Sequence, residues 1–200
     1  VKLRGLYAIT PEALPAPELR AKVEQALAGG IAALQYRRKA LASRAEAQAL
    51  AALCRAAGVP FIVNDDLDLA VAANAEGIHL GKDDGNVAAA RARWKGGILG
   101  ISCYDSLHRA RAAVAAGADY VAFGSVHASS TKPGAVRAPL TLFAAARPLG
   151  VPLVAIGGIT LENAPALLEA GADALAVISD LFDAPDVAGR ARAYGKLLSR

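Results

Sequence analysis

Five times along this chain a run of small, helix-forming residues reaches a glycine and passes straight into a short hydrophobic run. The phrases are AAGVPFIV (56–63), AAGADYVAF (115–123), EAGADALAV (169–177) and, more loosely, ALAGGIAAL (26–34) and ANAEGIHL (73–80). A glycine just past a helix suits the left-handed conformation that closes it, and the residues after it begin a buried strand. Recurrence at roughly 25 residues is the mark of one repeated supersecondary unit. Short apolar runs lie at 5–9, 31–37, 60–64, 77–81, 98–102, 120–126, 152–158 and 174–179. Between and after them, apolar residues at i, i+3, i+4 spacing predict helices over 16–29, 43–57, 66–75, 86–95, 105–117, 139–148, 160–170 and 186–199. Eight strands alternating with eight helices predict an α/β fold, a (β/α)8 TIM barrel, rather than an open doubly wound sheet.

The chain has 200 residues, which the barrel takes up as a single domain over 1–200 with short connections. The exception is 124–139, rich in Ser, Thr, Lys, Pro and Gly without a hydrophobic period, and a long loop in a minimal barrel is expected to be functional. At 54% hydrophobic and 20% charged residues, the composition excludes intrinsic disorder. No apolar run approaches the roughly 20 residues of a membrane helix. The first residues, VKLRGLYAIT, lack a secretory apolar region, so a soluble cytoplasmic protein with no membrane partner is expected. Cys54 and Cys103 are too few for a disulfide framework and form no CxxC, which argues against structural zinc. The net charge of +4 is scattered, without basic runs or interleaved aromatics, so small anions rather than nucleic acid are the expected partners.

In such a barrel the active site lies at the C-terminal ends of the strands, and those ends carry the polar residues of this chain. In QYRRK, strand alternation sends Gln35, Arg37 and Lys39 to one side. An amide and two cations in phase suit a polyanion such as a diphosphate, with a solvated loop edge as the plainer reading. Asn64 and Asp65 after the third strand and GKDD after the fourth bring carboxylates to adjacent ends. Asp65 and Asp84 fit the sparse protein share of a Mg²⁺ site, since that ion keeps waters and substrate phosphates among its ligands. The same sequence allows Asp65 or Asp66, and Asp84, to be N-caps of the following helices. Gly157 and Gly158 in AIGGIT let backbone approach a phosphate, or serve a tight turn alone. Ser102 follows the fifth strand and Ser179 the eighth. Cys54 reads as core and His79 as a satisfied strand residue, while His127 in the long loop is either solvated or a substrate contact. No Ser-His-Asp or Cys-His order is evident, which disfavours nucleophilic catalysis.

Taken together, LYAIT, LQYRRK, VNDDLDLA, GIHLGKDD, GISCYD, GADYVAFGSVHASSTKPGAVRAPL, VPLVAIGGIT and ALAVIS, in order along almost the whole chain, resemble the thiamine-phosphate synthase family. The resemblance implies a barrel that joins 4-amino-2-methyl-5-(diphosphooxymethyl)pyrimidine to a thiazole phosphate, releasing diphosphate with Mg²⁺. Position by position, it implies that Gln35, Arg37, Lys39, Asn64, Ser102 and Lys132 surround the pyrimidine diphosphate and that Asp65 and Asp84 hold Mg²⁺. Ser129, Ser130, Thr131, Gly158, Ile178 and Ser179 would receive the thiazole phosphate. It further implies a dissociative reaction in which Arg37, Lys39 and Lys132 stabilise the leaving diphosphate. The sequence departs from the family pattern at Lys82, where HLGQ is commoner, and at Ser125, His127 and Ser129 in place of Pro, an aromatic and Thr. The alternatives are a thiazole tautomerase of the related TenI type, which places His where Ser125 stands, and a non-catalytic phosphate-ligand sensor.

Overall fold

The computed structural model describes residues 2–38, 40–81, 86–128 and 136–198. Its strands are β1 (Gly5–Ile9), β2 (Ala33–Tyr36), β3 (Phe61–Asn64), β4 (Gly77–Leu80), β5 (Ile98–Tyr104), β6 (Tyr120–Phe123), β7 (Leu153–Ile156) and β8 (Ala174–Val177). The helices are α1 (Ala16–Ala28), α2 (Arg44–Ala56), α3 (Leu67–Ala73), α4 (Val87–Arg93), α5 (Leu107–Ala115), α6 (Thr141–Ala146), α7 (Ala164–Glu169), α8 (Ser179–Phe182) and α9 (Val187–Leu198). Each strand pairs in parallel with the next, and β8 closes on β1 through Gly5 to Ala8 against Ala174 to Val177. The expected (β/α)8 barrel is therefore present. No helix among the described residues is long and apolar enough to cross a membrane.

The repeated phrase works as its chemistry requires. Gly117 and Gly171 end α5 and α7 at φ +98° and +106°. The next amides, of Ala118 and Ala172, donate back to the carbonyls of Ala113 and Leu167, both at 3.0 Å. The acid that follows has a second use. Asp119 accepts the amide of Leu99 at 2.8 Å and pairs with Arg91, and Asp173 accepts that of Leu153 at 2.9 Å and pairs with Arg147. Glu76 does the same for Phe61 at 2.9 Å, with Arg55 beside it. Before β4, β6 and β8, then, a carboxylate ties down the start of the preceding strand and an arginine from the helical segment that leads into that preceding strand, on the face opposite the strands' C-terminal ends.

Two apolar layers result. One lies between barrel and helices, with Leu34, Phe61, Phe123 and Tyr194 among its buried members. The other fills the barrel itself and includes Tyr7, Ile62, Tyr120 and Val154. The Tyr120 ring lies over Gly100, its register partner on β5, where any Cβ would overlap it.

Three departures from expectation have a visible local cause. The helix expected from 160 begins at Ala164, because Thr160 N–H donates to Asn163 Oδ1 at 2.9 Å and closes a local turn first. The run 120–126 leaves the ladder after Phe123, and Ser125 bonds instead across its own loop, to the carbonyl of Val136 and the amide of Ala138. The short α8 has no counterpart in the predicted helices, since four residues display no period.

Candidate active site

The C-terminal ends of the strands enclose a cavity of about 160 Å³. Gln35, Arg37, Asn64 and Ser102 line it together with Gly157, Gly158, Ile178 and Ser179. These eight were expected at the site, and the fold brings all of them to one space. Lys39, Asp84, Ser129, Ser130, Thr131 and Lys132, with Lys82, lie outside the described residues.

At the exit of β2 the side chains alternate as expected. Gln35 and Arg37 turn to the cavity, while Tyr36 and Arg38 turn to α2. Thr10 is fully buried at the end of β1, where its hydroxyl oxygen accepts the amide of Arg37 at 2.8 Å and its own amide donates to Gln35 O at 2.9 Å. Arg38 grips Glu46 with Nε at 2.9 Å and Nη2 at 2.8 Å, and its Nη1 donates to the carbonyls of Glu12 and Leu14, both at 2.7 Å. Tyr36 adds a hydroxyl bond to Glu46 at 2.8 Å. The Arg38 guanidinium holds the Glu46 carboxyl below the usual carboxylate range. This buried ion pair ties the β1–α1 loop to α2 and so frames the segment that carries Arg37.

The cavity floor is a connected polar row. Gln35 Nε2 donates to Tyr7 Oη at 2.9 Å, Tyr7 Oη lies 2.8 Å from Tyr120 Oη, and His79 spans Tyr120 Oη at 2.9 Å and Ser102 Oγ at 2.8 Å. His79 is thus satisfied on both ring nitrogens, as a strand residue should be, and it also lines the cavity.

Beside the floor, Asp66 and not Asp65 caps α3, accepting the amide of Leu69 at 2.8 Å. Asp65 holds a left-handed conformation at φ +64°, and its amide donates to His79 O at 2.8 Å. It lines a groove with Leu80 and Asn86, which stand on either side of residues 82–85 in the sequence. Arg109 of α5 braces this corner, with Nε donating to Ser102 O at 2.7 Å and Nη2 to Gly81 O at 2.9 Å.

On the other wall, Gly157 and Gly158 take φ +103° and +63°, and a Cβ on Gly158 would run into the carbonyl oxygen of Ala128. Asn163 Nδ2 donates to Gly158 O at 2.9 Å, and the amides of Val126 and His127 donate to Ile156 O and Gly157 O, each at 3.0 Å. His127 keeps Nε2 buried without a hydrogen-bond partner among the described residues. Ser179 opens α8, which Asp180 anchors to Arg190 at 3.0 Å and Tyr194 at 2.7 Å.

Sequence reasoning missed Tyr7 and Tyr120, which read as ordinary apolar-strand residues, and Arg109, which sits in a helix. It also left Tyr104 and Ser125 out of the site residues, although both line the cavity. The family pattern at Ser125 was a usable signal; nothing local marks the tyrosines.

The sequence model of the family described as thiamine monophosphate synthase matches residues 6–181. A thiamine-phosphate synthase of Aromatoleum aromaticum is 58% identical over 98% of this chain and 97% of its own. That of an Azoarcus species is 57% identical over 99% and 98%. Among solved structures, thiamine phosphate pyrophosphorylase from Pyrococcus furiosus superposes with a TM-score of 0.85 at 32% identity, covering 99% of this chain and 96% of that one. A 3-hexulose-6-phosphate synthase, with a TM-score of 0.71 at 21% identity over 96% and 99% of the two chains, shares the fold.

Proposed function

This chain belongs to the thiamine monophosphate synthase family, and from there we propose that it is a transferase of thiamine biosynthesis. It joins 4-amino-2-methyl-5-(diphosphooxymethyl)pyrimidine to a thiazole phosphate, forming thiamine phosphate and diphosphate. The observation that carries this reading is the composition of one cavity, in which amide, cationic and hydroxyl side chains from β2, β3 and β5 meet a glycine-rich wall from β7 and β8. Its two free, buried thiols suit a reducing cytoplasm.

In the reaction the methylene C–O bond breaks with its electron pair leaving on the diphosphate, and the thiazole nitrogen lone pair forms the new C–N bond. The electron-rich aminopyrimidine shares the positive charge that develops, so no protein nucleophile is required. Gln35, Asn64 and Ser102 position the pyrimidine, and Arg37, Lys39 and Lys132 stabilise negative charge as it grows on the leaving group. Gly157, Gly158, Ile178 and Ser179, with Ser129, Ser130 and Thr131, receive the thiazole phosphate. Asp65 and Asp84 would hold Mg²⁺: a carboxylate pair suits a hard cation, and it is Asp66 that caps α3. When bound, the ion neutralises charge on diphosphate oxygens.

The test is product formation by the purified protein with both substrates and Mg²⁺, read as thiamine phosphate and diphosphate in equal amounts. Chelation is expected to stop turnover and added Mg²⁺ to restore it. Asp65→Asn should lower kcat by about 100-fold or more, the loss of several kcal/mol of charge stabilisation. Absence of product overturns the reading, and full turnover in chelator removes the metal from it.

A further inference from the structure

Five polar side chains from five strands are joined end to end through the barrel interior: Gln35 of β2, Tyr7 of β1, Tyr120 of β6, His79 of β4 and Ser102 of β5. The terminal pair, Gln35 and Ser102, lines the cavity, and the two tyrosines lie beneath it, at 1% and 0% exposure. We propose that Tyr7, Tyr120 and His79 are positioning residues that form a polarity relay, making Gln35 and Ser102 present opposite hydrogen-bonding polarity to a ligand. The inference rests on the reading of this cavity as an aminopyrimidine site and adds how the site distinguishes donor from acceptor on the ring.

The argument is proton accounting. An amide nitrogen only donates, so the bond from Gln35 Nε2 makes the Tyr7 oxygen an acceptor. Burial pushes the hydroxyls of Tyr7 and Tyr120 well above the ordinary tyrosine range, so each keeps its single proton. The Tyr7 proton goes to Tyr120 Oη, 2.8 Å away, and the Tyr120 proton to His79 Nδ1 at 2.9 Å. A neutral imidazole that accepts at Nδ1 carries its proton on Nε2, which donates to Ser102 Oγ at 2.8 Å. The Ser102 proton is then directed to the cavity, while Gln35 shows its carbonyl oxygen. The rings keep the row in register: Tyr7 packs edge-on to Tyr120 with centroids 6.0 Å apart, and His79 stacks on Tyr120 at 5.6 Å.

A ring offering one donor and one acceptor satisfies both ends, as a 4-aminopyrimidine does with its exocyclic N–H and ring nitrogen. Turning the Gln35 amide reverses every bond in the row, so the two ends change sign together. A ligand with two acceptors, such as a 4-methoxypyrimidine, leaves one buried group unpaired. Pyrimidine recognition is therefore a property of the tyrosines as much as of the residues that touch the ring.

The relay is tested without substrate by imidazole nitrogen NMR on the intact, folded protein, with its three histidines assigned from His108→Gln and His127→Gln. The wild type is expected to hold His79 as the Nε2–H tautomer. Gln35→Glu places an acceptor against Tyr7 and is expected to convert His79 to Nδ1–H, and adding Tyr7→Phe is expected to abolish that conversion. An Nδ1–H tautomer in the wild type, or an unchanged tautomer in Gln35→Glu, overturns the proposal. A second measurement covers a Gln35→Glu protein that does not fold. Tyr120→Phe frees Gln35 to turn independently, so the ratio of dissociation constants for the 4-methoxy and 4-amino pyrimidine diphosphates should fall by about tenfold, one hydrogen bond's worth. An unchanged ratio overturns the relay. The tautomer is read without turnover, so its outcome is independent of whether the proposed synthesis occurs.

Discussion

Replacing Glu46 by Gln isolates an ion pair that the fold withdraws from water. The side chains of Arg38 and Glu46 are 3% and 9% exposed, in contrast to the surface pair Arg20–Glu24 at 57% and 48%. Glutamine keeps the shape of Glu46 but removes the charge and turns one of its two accepting oxygens into a donor facing the guanidinium. Arg38 retains its bonds to Glu12 O and Leu14 O, so it is left under-compensated rather than bare. Breaking a buried pair costs about 3–5 kcal/mol, and the retained carbonyl bonds place Glu46→Gln near about 3 kcal/mol. With a urea slope of roughly 2–3 kcal/mol per molar, the midpoint should drop by about 1 M. Far-UV ellipticity and the fluorescence of Trp94, the single tryptophan, should be followed together, because coincident transitions license one free energy. The pH dependence has a definite sign. Arg38 lowers the folded-state pKa of Glu46, so the stabilisation is complete above the usual carboxylate range and is lost as pH falls below it, through the folded pKa. The difference between wild type and Glu46→Gln should therefore narrow on acidification. As a control, Glu24→Gln should cost less than about 0.5 kcal/mol. A Glu46→Gln protein as stable as the control, or a gap that does not change with pH, would refute the reasoning.

Three other perturbations separate stability from chemistry. Asp119→Ala removes the acceptor of Leu99 N–H and the partner of Arg91, far from the cavity, and should lower unfolding free energy by about 1–2 kcal/mol with kcat and KM unchanged. Impaired turnover in folded Asp119→Ala would show that this face matters to the reaction. Gly158→Ala introduces a Cβ at positive φ against Ala128 O, and urea titration should show a loss of about 2 kcal/mol or more, with the KM for the thiazole phosphate rising far more than that for the pyrimidine diphosphate. Equal changes in the two KM values would argue against the placement of the thiazole phosphate. Burial pushes the thiols of Cys54 and Cys103 up to about 12, so neither should react quickly with a chromogenic disulfide at pH 8 until denaturant is added. Rapid labelling of the native protein would contradict their burial.

Much of the architecture is written in local chemistry. The apolar runs at 5–9 and 77–81 become β1 and β4 almost residue for residue, and AGAD closes one helix and opens a strand at both Gly117 and Gly171. Departures came where a side chain outcompeted the period, as Asn163 does at Thr160, where the backbone found other partners, as at Ser125, or where the segment was too short to have a period, as in α8. The cap ambiguity between Asp65 and Asp66 is of the same kind. Both carry the same carboxylate, and only the backbone path, left-handed at Asp65 and extended at Asp66, assigns the cap.

Strand-end residues were legible as site residues because a closed parallel barrel sends all its strand ends to one mouth, so Gln35, Arg37, Asn64, Ser102 and Ser179 could be collected from sequence order alone. The floor beneath them could not. Tyr7 and Tyr120 are separated by 113 residues and look like any aromatic in a buried strand. They meet because β8 returns to β1 and because Gly100 leaves space for the Tyr120 ring. Periodicity records which side of a strand is apolar, and a glycine records where the backbone must turn. Which polar atoms share a hydrogen bond inside the barrel depends on closure and register, and those are properties of all eight strands at once.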